Sequence, residues 1–146
     1  MDNSIFKKMR VKPESVVMVL NAPSDYPKCR ELNWQNEGQA GYADFVHLFV
    51  DSQAQFVACF VRAIENLEDN GLLWVSYPKS KSKKVTYDIN RDSLWGLLLT
   101  EGFHPVSQVS LGDDWSAVRV KKNQEGVVYE RPSNVKGAKE NKVLGE

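Results

Sequence analysis

Leu72-Leu73-Trp74-Val75-Ser76-Tyr77-Pro78-Lys79 is the stretch on which the fold turns. Four consecutive apolar residues, Leu72 to Val75, follow an Asp69-Asn70-Gly71 turn signal and read as a strand buried on both faces. Pro78 has no amide proton to give to a ladder, so the strand ends there. A polar, basic segment opens at Ser80. A strand covered on both faces needs helices on both sides, and helical patterns stand before and after it.

Moving toward the amino terminus, Asp44–Val50 is apolar apart from His47 and predicts another buried strand. Ser52 and Gln55 then have capping-box spacing, in which the cap hydroxyl and the later amide satisfy two free backbone donors. Phe56, Cys59, Phe60, Ala63, Ile64 and Leu67 recur at three- and four-residue intervals, the signature of an amphipathic helix. Ser15–Leu20 is β-branched and continuously apolar, a strand that runs into the turn-rich Asn21-Ala22-Pro23-Ser24-Asp25. Ser4–Met9 predicts one or two helical turns, and Pro27 predicts a short helix over Tyr26–Leu32.

Toward the carboxyl terminus, Asn90 caps a helix with Asp92 in its first turn and a broad Leu94–Leu99 apolar surface; Gly102 stops it. Val106–Leu111 and Trp115–Lys121, joined at Gly112-Asp113-Asp114, predict an antiparallel hairpin. The expected fold class is therefore α/β: a small, mostly parallel sheet flanked by helices and ending in a hairpin. Residues 1–122 make one domain, and 123–146, lysine-rich and poor in large apolar residues, a flexible tail.

Composition narrows the function. With 146 residues and 42% hydrophobic content the chain can bury a core. Its 19 basic and 19 acidic residues cancel, which removes any global attraction for nucleic acid or anionic lipid. Cys29 and Cys59 are too few for a disulfide framework. The start Met1-Asp2-Asn3-Ser4 is polar, and the apolar runs around 45–50 and 56–61 are interrupted by Asp51-Ser52-Gln53. A soluble cytoplasmic protein is the expectation.

Two resemblances arise from these residues. From Asp44 onward the order of elements, with Asn70-Gly71-Leu72-Leu73-Trp74-Val75 and the hairpin after Gly102-Phe103, resembles the second half of a Rossmann-type methyltransferase domain. That likeness implies an S-adenosylmethionine site at a Gly-rich loop after the first strand and an acidic residue ending the second. Here the first strand ends in Asn21-Ala22-Pro23-Ser24, without glycine, and room for a second strand is nearly absent. The expectation is a shortened Rossmann-like fold without that cofactor. The chain is also similar, over roughly residues 5 to 121, to a family of small, uncharacterised, mostly bacterial proteins. Val11-Lys12-Pro13, Asn21-Ala22-Pro23, Leu73–Lys79, Asn90-Arg91-Asp92 and Asp114–Arg119 carry that similarity. It implies the fold and no activity.

Ligands of open α/β sheets bind beyond the carboxyl ends of the strands. Asn21, Ser24, Asp51, Ser52, Ser76, Tyr77 and Lys79 would stand there and are the ligand-binding candidates, with the free amides before Gln55 as a further anion site. Lys81, Lys83, Lys84 and Arg91, flanked by Tyr77 and Tyr87, are candidates for polyanions, nucleic acid included. His47 and His104 are the only histidines; His47, inside an apolar strand, reads as a satisfied core residue. No metal ligand set and no catalytic constellation can be named. The expected function is a non-catalytic binding or regulatory module for a small anionic ligand or a protein partner. An enzyme of unknown class using Asp51, Tyr77 and Lys79, and nucleic-acid binding through 79–91, are the alternatives.

Overall fold

In the computed structural model, which describes residues 1–36, 42–79, 88–130 and 142–144, the quoted run forms the carboxyl half of a long strand, β4. In chain order the elements are α1 (Ser4–Lys8), β1 (Val16–Leu20), β2 (Asn33–Trp34), β3 (Ala43–Phe49), α2 (Gln53–Glu65) and β4 (Leu67–Pro78). They continue with α3 (Arg91–Thr100), β5 (Phe103–Ser110), β6 (Trp115–Lys122), β7 (Val128–Glu130) and β8 (Lys142–Leu144). A six-stranded mixed sheet runs β2-β1-β3-β4-β6-β5. Its first four strands are parallel, and β6 lies antiparallel between β4 and β5. The fold is α/β and Rossmann-like, as the alternation of strands and helices predicts.

Every residue of β4 from Leu73 to Pro78 is buried, so the apolar run is covered on both faces. One face carries Val46, Leu48, Leu73, Val75 and Tyr77 against Phe56, Phe60 and Ala63 of α2 and Leu94 and Leu98 of α3. The other carries Phe45, Phe49, Trp74 and Ala117 beneath Ile5, Phe6 and Met9 of α1 and its turn, with Tyr26 and Leu32. Burying each such aliphatic or aromatic side chain contributes about 1.5–3 kcal/mol before entropy is counted.

Both helix caps form. The Ser52 Oγ accepts from the Gln55 amide at 3.0 Å, and Asn90 and Ser93 cap each other reciprocally at 2.9 Å. The Gln55 side chain, however, reaches the amide of Asp51 rather than that of Ser52, at 2.7 Å. Gly102 ends α3 in the left-handed region, φ 84°.

Two local expectations change. Asp69-Asn70-Gly71 is a bulge inside β4 and not a turn: Ala43 pairs with Leu67, and the next pairing is Phe45 with Leu72. The extra residues fit because Gly71 lacks a Cβ, which would stand 2.7 Å from Leu67 Cδ1 and 3.0 Å from the carbonyls of Asp44 and Glu68. No helix forms over Tyr26–Leu32. The segment stays irregular because the Tyr26 ring is drawn into the core against Phe6, Trp34, His47 and Phe49. Beyond β6, the described part of the expected tail holds the antiparallel pair β7 and β8. Tyr129 of β7 stacks on His104 at 4.0 Å. Residues 131–141, 145 and 146 lie outside the described residues. Among the described residues no helix is long and apolar enough to cross a membrane.

Candidate functional site

The parallel register puts the carboxyl ends of β1, β3 and β4 on one edge, with the switch in strand order between β1 and β3. That crevice is strapped by the chain itself. Asn21 leaves β1 in the left-handed region, φ 60°. Its side-chain amide donates to the carbonyl of Phe49 at 3.1 Å, with Cys59 Sγ at 3.5 Å. The Gln53 and Gln55 amides, expected to await an anion at the start of α2, are engaged. Gln55 donates to Ser52, Gln53 donates to the Asp88 carboxylate at 2.8 Å, and Asp51 donates to Gln55. Ser52 is thus a helix cap, Asp51 stands half-buried beside it, and Ser24 is exposed on the loop after β1.

Ser76 does not face that edge. It is fully buried, with Oγ 2.6 Å from His47 Nε2, while His47 Nδ1 lies 2.9 Å from the Tyr26 hydroxyl. The alternation of a strand sends Ser76 to the face opposite Tyr77, into the second core cluster. Burial holds His47 far down, at about 3, and pushes the Tyr26 phenol up. The three side chains form a neutral hydrogen-bonded chain inside the protein, and His47 is the satisfied core residue its strand context predicts.

A groove of about 470 Å³ lies where the end of β4 meets the start of α3 and the hairpin. Tyr77, Pro78 and Lys79 form one wall, Asn90, Arg91 and Asp92 the second, and Gln108 and Ser116 the third. Burial raises the Tyr77 phenol above its ordinary value; Arg91 and a hydrogen bond with Ser116 pull the other way. The proton therefore stays on Tyr77 at neutral pH, leaving a hydroxyl able to donate. Lys79 is anchored: its ammonium donates to Ser110 Oγ at 2.5 Å and to the Gly112 carbonyl at 2.6 Å, tying β4 to the turn before β6.

Of the candidates read from sequence, Tyr77, Lys79 and Arg91 share this groove, while Asn21, Ser24, Asp51 and Ser52 do not line it and Ser76 is in the core. Lys81, Lys83 and Lys84 lie outside the described residues. Gln108 and Ser116 went unread. Aligning Pro78 with Trp115 across β4 and β6 would have found Ser116, since that register sets it opposite Tyr77. Among the described residues no group of three or more His, Cys, Asp or Glu is placed to hold a metal ion.

No curated protein matches the chain. Solved structures do match, by shape. DhpI in complex with SAH is similar at TM-score 0.55 and 7% identity, covering 83% of each chain. The glycopeptide N-methyltransferase MtfA is similar at TM-score 0.53 and 11% identity, over 82% of this chain and 88% of that one. The ribosomal protein L11 methylase from Lactobacillus delbrueckii subsp. bulgaricus follows at 0.50 and 10%, over 82% and 75%. At such identities the likeness is one of fold alone, a methyltransferase-like Rossmann fold. Residues 31–124 match the family described as "Protein of unknown function (DUF3052)", and this chain belongs to that family.

Proposed function

We propose that this chain is a non-catalytic binding module that takes a small anionic ligand in the groove at the carboxyl end of β4. The observation that supports it is the meeting of Arg91, the protonated hydroxyl of Tyr77, Gln108 and Ser116 around one groove. All four can donate hydrogen bonds, and a charged donor strengthens such contacts. The strapped crevice at Asn21 and the engaged amides of α2 argue against an S-adenosylmethionine site in the place the fold offers one. Two free cysteines suit a reducing, cytoplasmic setting.

The test is a thermal-shift panel at two salt concentrations, holding S-adenosylmethionine, its demethylated product, common nucleotides and an oligonucleotide. A ligand at a hundred times its dissociation constant adds roughly 2.7 kcal/mol of stability. A small-anion shift lost in Arg91→Gln and weakened in Tyr77→Phe supports the reading. Methyl transfer that disappears in Asp51→Ala overturns it. A shift with the oligonucleotide alone, abolished by salt, also overturns it and moves the function to residues 79–91.

A further inference from the structure

At the opposite, amino end of the sheet lies a second groove of about 520 Å³, and its construction is unlike that of an ordinary loop junction. Its floor is apolar, from Val11, Phe45 and Leu72, and its rim carries three cations, Arg10, Lys12 and Arg119. Among the described residues none of the three is in an ion pair. Two carboxylates share the lining: Asp44, whose side chain accepts from the Val16 amide at 2.8 Å, and Glu14, exposed at the edge, so the three cations leave the groove with an excess of positive charge.

The backbone carries a second, independent signal. Val11 donates to the Phe6 carbonyl at 2.9 Å and Arg10 to that of Lys7 at 3.1 Å, which together close α1 in a Schellman motif. The residue that must go left-handed in that motif is usually glycine. Here it is Arg10, φ 62°, and four residues on Glu14 is left-handed too, φ 67°. The chain keeps a guanidinium at a position where local energetics favour glycine, and that guanidinium stands on the rim of the groove. Strain retained beside a cavity points to use of the side chain.

We infer that the amino-edge groove is a second binding site, for an amphipathic organic anion: a phosphate or carboxylate head on Arg10, Lys12 and Arg119 and an apolar body on Phe45 and Leu72. The probe is phenyl phosphate, titrated into the full-length chain and followed by amide chemical shifts, with inorganic phosphate and phenol as controls. Saturable shifts at Val11, Phe45, Asn70 and Leu72, weaker with either control, support the site. Arg119→Gln should weaken binding about tenfold or more. Arg10→Gly should weaken it similarly while holding or raising the melting temperature, since glycine relieves the left-handed backbone. That split separates binding from folding. Unchanged binding in both variants overturns the inference. So do no saturable shift at millimolar phenyl phosphate, or shifts confined to the groove of Tyr77, Arg91 and Gln108, an outcome that leaves the carboxyl-edge reading standing.

Discussion

Acid should unfold this protein through His47. The ring is wholly buried in a chain with Tyr26 and Ser76, and burial lowers its pKa from 6.5 to about 3. The unfolded state therefore takes up a proton that the native state refuses, and the stability held above pH 6.5 drains away as pH falls toward 3. Over that window each pH unit costs about 1.4 kcal/mol, on the order of 5 kcal/mol in all. A domain of this size has about 5–15 kcal/mol in hand, so the loss is a large share of the total. The measurement is urea unfolding at pH 7, 6, 5 and 4 on the native chain and on His47→Gln. Glutamine keeps one donor and one acceptor for the two hydroxyls and does not titrate here. His104, whose burial lowers its pKa too, and the carboxylates are common to both proteins and cancel in the difference. The native chain should lose about 0.7 kcal/mol more than the variant between pH 7 and 6, and about 1.4 kcal/mol more per pH unit below that. Parallel pH profiles would refute the reasoning.

Three further outcomes follow from local geometry. Gly71→Ala should cost about 1–3 kcal/mol in chemical denaturation, because the added Cβ meets two backbone carbonyls at 3.0 Å that cannot step aside. Asn90→Ala removes the acceptor of the Ser93 amide and should cost about 1 kcal/mol, with early amide exchange confined to the first turn of α3. Lys79→Met cuts two hydrogen bonds to the turn between β5 and β6; a loss of about 1 kcal/mol is expected, together with faster exchange of the backbone amides at positions 79 and 111.

Much of the fold was legible because burial writes itself into the chain locally. Leu72–Val75 and Ser15–Leu20 have no polar face to offer water, and only a sheet covered on both sides accommodates them. Ser52 and Asn90 announce their helices because capping is a contact between residues three apart. The misread segments share a different cause. Pro27 suits a first helical turn, but the pull on Tyr26 comes from Phe6, His47 and Phe49, up to 23 residues away in the chain. Asp69-Asn70-Gly71 has turn composition, yet the ladder to β3 continues past it, and the surplus residues are taken up as a bulge.

The candidate site divides along the same line. Sequence alone determined that Tyr77 and Lys79 sit at the carboxyl end of a buried strand and that Arg91 opens the following helix. These follow from the proline and the cap, both local features. Only tertiary structure decided what those side chains meet. Ser76 was lost to the core because it shares a sheet face with His47, to which its hydroxyl is hydrogen-bonded, and Lys79 was claimed by the hairpin turn. Gln108 and Ser116 joined Tyr77 through the antiparallel register of β6. Each of these depends on strand pairing between residues more than 25 positions apart, which periodicity and propensity do not record.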